Sequence, residues 1–211
     1  MSAETELTDL ELAALVSSKI CHDIISPVGA IANGLEIMDE EADQEMREHA
    51  MNLVRKSATQ ASAKLQFARL AFGAAGSAGA SIDLNEAQKV ARAVAESDKH
   101  SIEWSGPAAS MAKDKVKLLL NMVTLALAAL PRGGKIAVSI ADNAEAPSFE
   151  IVCEGDASRV PEILSDILSG SINGALDAHS IQPYYTQRIA TSAGMGLKAR
   201  KVGDSVIFSA A

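Results

Sequence analysis

The strongest constraint on this chain is a pair of long helical periodicities joined by a short acidic turn. In the first, Ile24, Val28, Ile31, Leu35 and Met38 recur at steps of four and three, which lays an apolar row along one helix. In the second, Val54, Ala58, Ala61, Leu65, Ala68 and Phe72 do the same. Thr8-Asp9-Leu10-Glu11 is a capping-box pattern and starts the first helix. The spacing predicts that helix over about Asp9 to Asp39, roughly 45 Å at about 1.5 Å per residue. The turn Asp39 to Asp43 ends it, and the second helix runs to about Phe72. A link this short makes the pair antiparallel. Two helices cannot enclose a core, because each shields only one side of the other's apolar face. Two copies forming a four-helix bundle solve the problem, so the hairpin predicts a homodimer. The alternative is a hairpin that packs on the rest of its own chain.

A second row on the first helix has a different character. His22, Ser26, Gly29 and Asn33 also recur at steps of four and three. They are offset by two positions from the apolar row, about 200° of rotation, and therefore lie on the opposite face. His22 is thus expected to point into solvent with small residues following it along the helix. Asp23 comes directly after the histidine. Pro27 removes a backbone donor and is expected to bend the helix just past it. Cys21 lies near the core-facing rows and reads as a small buried hydrophobe. His49, His100 and His179 lack the acid and proline context and read as surface or packing residues.

Composition narrows the function classes. The chain has 211 residues, 48% of them hydrophobic but only 3% aromatic, so its core is built from Ala, Leu, Ile and Val and suits closely approaching helices. The net charge is −8 with no basic tract, which argues against nucleic acid as a partner, since phosphate backbones are held by clustered Lys and Arg. The longest apolar run, Leu118 to Leu130, is interrupted by Asn121 and Thr124 and is too short to span a membrane. The amino terminus is acidic and does not read as a signal peptide. Cys21 and Cys153 are then expected as reduced thiols in the cytoplasm. No metal-ligand spacing is visible.

The small-residue stretch Gly73 to Ser81 reads as a linker, dividing the chain into a hairpin domain over residues 1–75 and a second domain over 76–211. In the second, Asp83 to Glu86 caps a helix to about Ser97, and Ser101 to Ser105 alternates like a strand. A helix over about Lys113 to Leu130 stops at Pro131. Lys135 to Ile140 and Phe149 to Cys153 read as strands, Pro161 opens a helix, and Ile181 to Ser192 forms the last one. Leu197 to Lys201 and Ser205 to Ser209 make a closing hairpin around Gly203-Asp204. Strands mixed with helices and hairpins indicate a two-layer α+β sandwich.

Two stretches carry a family resemblance. His22-Asp23 with Ser26-Pro27 resembles the H-box of dimerising histidine kinases, whose histidine carries a phosphoryl group. Asn121 to Val138 resembles the N-box region of the kinase ATPase domain. Asn121, Ala126, Pro131, Gly133 and Gly134 match, but Leu125 stands where the family has a second asparagine that helps hold Mg²⁺ with ATP. Cys153 stands where the adenine-reading aspartate belongs, and Ile181-Gln-Pro-Tyr-Tyr-Thr occupies the place of the glycine-rich lid. Leucine offers no ligand atom, and a thiol is a poor substitute for a carboxylate.

The combination resembles the ChpT-type histidine phosphotransferases of bacterial cell-cycle phosphorelays, closely around Cys21 to Pro27 and at Met51 to Val54 and Leu65 to Arg69. The resemblance implies a mainly α plus α+β fold: a helical hairpin forming a dimeric four-helix bundle, then a degenerate histidine-kinase ATPase-like α/β sandwich that does not bind ATP. It implies transfer from the receiver aspartate of a hybrid histidine kinase, through His22, to the receiver aspartate of a response regulator. Free imidazole titrates at about 6.5, so a neutral nucleophile is abundant near pH 7. Mg²⁺ is expected in the partner receiver and no cofactor in this chain. Asp23 is the candidate to orient the ring, and Ser26 to hold a water or contact the receiver. Gly29 and Asn33 are candidates to leave room for a docking helix, and Arg159 to meet an acidic receiver. The competing readings are an ATP-dependent histidine kinase and a non-catalytic dimeric scaffold that binds receivers.

Overall fold

The computed structural model describes residues 7–40, 43–73, 80–141, 147–171, 176–178 and 180–211. Two helices, α1 (Asp9–Glu40) and α2 (Gln44–Ala71), form the antiparallel hairpin. The capping box opens α1: Thr8 donates from its backbone N–H and hydroxyl to Glu11 Oε2 at 2.9 and 2.7 Å. These bonds favour the ionised carboxyl and hold its pKa below the usual value. Asp43 caps α2 by accepting from the N–H of Glu45. Pro27 lies inside α1 without ending it.

Beyond the hairpin come β1 (Ser81–Asp83), α3 (Leu84–Ala95), β2 (His100–Ser105), β3 (Ser110–Ala112) and α4 (Lys113–Ala129). They are followed by β4 (Gly134–Ala141), β5 (Ser148–Glu154), α5 (Glu162–Ser169), α6 (Ile181–Ser192), β6 (Leu197–Val202) and β7 (Ser205–Ala210). Strands β1 and β3 pair as a small antiparallel ribbon that the alternation pattern did not signal. The main sheet has the order β2-β4-β5-β7-β6, parallel only between β2 and β4. Its strands alternate as half-buried strands should: Ile136 and Val138, Ile151 and Cys153, and Val206 and Phe208 face inward, while Ser139 and Glu150 face out. Helix α4 covers the inner face and is buried nearly all round. The turn from α4 into β4 needs glycine. Gly133 and Gly134 have φ of +97° and +148°, and a Cβ on them would lie 2.3 Å from Lys99 O and 2.2 Å from Glu154 O.

The hairpin is packed against this sandwich. Phe67, Leu70 and Ala71 of α2 belong to the same apolar cluster as α3, α4 and the sheet. Leu12, Leu15 and Val16 of α1 pack on Ile167, Ile181 and Tyr184 of α5 and α6. Most of the linker stretch, residues 74–79, lies outside the described residues, as does His179. Within the hairpin the apolar row of α1 is wider than α2 can cover. Ile24, Ile31 and Met38 are half-buried, but Val28 and Leu35 stay 49% and 47% exposed. They continue a row of Cys21, Ile25, Val28, Ala32 and Leu35 that faces outward at steps of four and three. Cys21 is therefore exposed, not buried: it belongs to this outer row and not to the seam with α2. The helices approach closely at Gly34, where a Cβ would lie 2.6 Å from Val54 Cγ2.

Candidate functional site

His22 stands in the middle of α1 with 57% of its side chain exposed. Ser26, Gly29 and Asn33 follow it on an exposed face, and a Cβ on Gly29 would meet nothing within 4 Å. The structure thus brings five of the six candidate residues onto neighbouring positions of one helix. Arg159 is apart from them, exposed on the turn after β5, with its backbone N–H donating to Ala129 O at 3.0 Å.

The surroundings of the histidine are set by Pro27, which is buried. In an uninterrupted α-helix the N–H of residue 27 donates to the carbonyl of residue 23, and proline has no N–H to give. The Asp23 carbonyl instead accepts from Lys64 Nζ of α2 at 2.8 Å. The Asp23 carboxylate is paired through Oδ2 with Lys19, one turn earlier. Its Oδ1 lies 3.8 Å from His22 Nδ1, within ion-pair range but beyond hydrogen-bond reach. Two lysines and one aspartate leave this stretch of the hairpin with a net positive charge, which favours an anion on the neighbouring imidazole. Neither Lys19 nor Lys64 stood out in the sequence. The signal for a cross-hairpin donor was Pro27 itself, since it predicts an unpaired carbonyl at residue 23.

The kinase-type nucleotide positions are closed. Asn121 is fully buried and its amide is committed to structure. Its Nδ2 donates to Ala71 O at 3.0 Å and Lys117 O at 2.8 Å, and its Oδ1 accepts from Gln182 Nε2 at 2.6 Å. Asn121 thus caps the carboxyl-terminal end of α2 and ties α4 to α6. Leu125 and Cys153 are both in the core, and burial pushes the Cys153 thiol up to about 12. The residues at these positions do not fit ATP and Mg²⁺: the one amide oxygen is already used, and the other two sites present a methyl-capped chain and a neutral thiol. Among the described residues no group of three or more His, Cys, Asp or Glu is placed to hold a metal ion. No helix there is long and apolar enough to cross a membrane.

A solvent-facing histidine on a long helical hairpin, backed by an α/β sandwich whose nucleotide positions are filled by its own core, defines a histidine-kinase-like phosphotransfer protein without kinase machinery. The comparisons with known proteins agree. The model of the histidine phosphotransferase C-terminal domain matches residues 84–205. The protein phosphotransferase ChpT of Brucella abortus (strain 2308) is 46% identical over 211 residues, 100% of both chains. A solved structure of a bacterial phosphotransferase is 44% identical, with a TM-score of 0.92 over 100% of both chains. The chain belongs to the histidine phosphotransferase family.

Proposed function

We propose that the chain is a dimeric carrier in a cytoplasmic phosphorelay. It takes a phosphoryl group from the receiver aspartate of a hybrid histidine kinase onto His22 and passes it to the receiver aspartate of a response regulator. The observation that carries this reading is the exposed imidazole of His22 in a chain whose nucleotide positions are closed. A phosphoryl group that reaches this histidine then has to come from another protein. The cell-cycle setting rests on the resemblance to the ChpT type alone.

In the forward step a ring nitrogen of neutral His22 forms a bond to phosphorus, the P–O bond to the donor aspartate breaks, and the aspartate leaves as a carboxylate. The second transfer reverses these roles with another receiver. Nδ1 is the nitrogen turned towards Asp23, so Nε2, on the far side of the ring, is assigned as the attacking atom. Phosphoryl transfer asks mainly for positioning and charge neutralisation. The receiver's Mg²⁺ supplies part of that neutralisation, so this reading gives the chain no metal or nucleotide of its own. Asp23 steadies the ring electrostatically once the imidazole becomes cationic. Ser26 contacts the receiver or holds a water, Gly29 and Asn33 leave room for a docking helix, and Arg159 meets an acidic part of the receiver.

The homodimer is supported by the outward row of α1. Ile25, Val28 and Leu35 are 68%, 49% and 47% exposed within one chain, and Met46 and Leu53 of α2 are 47% and 42% exposed. Large apolar side chains in such a row signal a partner surface, and a second hairpin with the same row completes a four-helix bundle.

The test is a transfer assay with a purified receiver domain carrying a radiolabelled aspartyl phosphate. Label is expected to move to wild type and not to His22→Ala. Equal labelling of both would refute the site. A receiver complex that forms equally with both proteins, without transfer to either, would favour the scaffold reading.

A further inference from the structure

We infer that Lys64 is a positioning residue for His22, acting through the main-chain carbonyl that Pro27 leaves without a donor. The inference rests on the phosphotransfer reading above and adds a residue that the H-box pattern does not contain.

Three observations meet at one place. Pro27 is inside α1 and cannot donate to the Asp23 carbonyl. Lys64, forty-one residues away on α2, donates to that carbonyl at 2.8 Å. The carboxylate of the same aspartate is held by Lys19, so both acceptors of the residue after His22 are tied to ammonium groups. Lys64 is half-buried and lines a cavity of about 260 Å³ with Phe67, Phe72, Val94, Thr124 and Gln182, where α1 and α2 meet the sandwich. An ammonium–carbonyl bond screened from water on one side is stronger than an exposed one.

The bond has a mechanical consequence. A proline removes a main-chain bond of the helix, and the turn before it is free to flex. That turn carries His22 and Asp23. Lys64 replaces the missing bond with one from the opposite helix, so the turn is fixed to α2 and not only to its own helix. The histidine backbone is then held in one place relative to the rest of the bundle. In-line attack on phosphorus is sensitive to displacements of about 1 Å. Lys64 also places its ammonium group against the main chain of Asp23, the residue after His22.

The experiment uses the full-length protein and phosphoramidate as a small phosphodonor, so that no receiver docking enters the rate. A His22 ring nitrogen attacks phosphorus, the P–N bond breaks and ammonia leaves. Phosphohistidine formation is followed by phosphorus NMR in wild type, K64M, K64R, P27A and the double variant K64M/P27A, with circular dichroism melts confirming that each is folded. K64M is expected to slow phosphorylation by about tenfold, and K64R, which restores a charged donor, to recover most of the loss. In the P27A background, residue 27 regains its N–H and takes the Asp23 carbonyl, so adding K64M is expected to cost much less than it does in wild type. An unchanged rate in K64M, or the same factor in both backgrounds, overturns the inference. Unimpaired labelling of His22→Ala would instead overturn the reading on which it rests. Should K64M fail to fold, K64Q against K64R carries the same comparison.

Discussion

Replacing Asn121 by alanine tests whether the kinase-type asparagine has become a structural residue. In the native chain its amide serves three partners, and the helix bond of α4 still satisfies the Lys117 carbonyl after its loss. Two buried groups lose the partner Asn121 gives them: the Ala71 carbonyl at the end of α2, which has no helical donor among the described residues, and the Nε2 of Gln182. A buried polar group left unpaired costs about 1–3 kcal/mol, so Asn121→Ala is expected to destabilise by about 3–5 kcal/mol. Unfolding temperature should fall by about 10 °C, from about 2–4 °C per kcal/mol for a chain of this size. Urea unfolding followed by circular dichroism, at one protein concentration because the proposed dimer would make stability concentration-dependent, measures the loss. Removing Gln182 as well eliminates one of the orphaned groups, so N121A/Q182A is expected to cost less than the two single changes summed, by about 1–3 kcal/mol. Calorimetric titration with ATP and Mg²⁺ is expected to give no binding heat in either background. A stable Asn121→Ala protein that loses a nucleotide affinity seen in wild type would refute the reasoning.

Further outcomes are expected elsewhere. Gly29→Ala should stabilise by about 0.5–1 kcal/mol, because helical glycine is costly and the added methyl meets open space, whereas Gly34→Ala should destabilise by pressing on Val54; urea midpoints of the two variants should move in opposite directions. Val28→Glu, placing a charge on the outward row of α1, should shift the protein to monomer in sedimentation velocity, while Glu36→Gln, exposed on the same helix, should not. In a Cys21→Ser background a thiol reagent should leave the native protein unlabelled and label it once in denaturant, because burial holds Cys153 as a neutral thiol up to about 12; rapid native labelling would contradict the closed core.

Most of the elements were legible in the chain because their signals are local. The capping box at Thr8, the acidic break after α1 and the alternation of β4, β5 and β7 each reflect a few adjacent residues. The exposed face of His22 followed from spacing alone. What stayed hidden was the identity of each partner across the fold. The apolar row of α1 is a single feature in sequence, yet α2 covers Ile24 and Ile31 and leaves Val28 and Leu35 outside, so Cys21 faced the opposite way from expectation. The three-residue strands β1 and β3 are too short to carry a periodic signal. Asn121 matches an N-box asparagine in sequence, and only its bonds to Ala71 and Gln182 reveal its structural task. Leu12, Leu15 and Val16 pack onto α5 and α6, a contact between distant parts of the chain that no local pattern announces.

The central claim is that phosphate rests on one particular imidazole. After transfer from a phosphorylated receiver, the modified protein can be digested and its phosphorylated residue located by mass spectrometry under alkaline conditions that preserve phosphohistidine. The phosphoryl group is expected on His22 alone. Phosphate on His49, His100 or an acidic residue, with His22 unmodified, would contradict it.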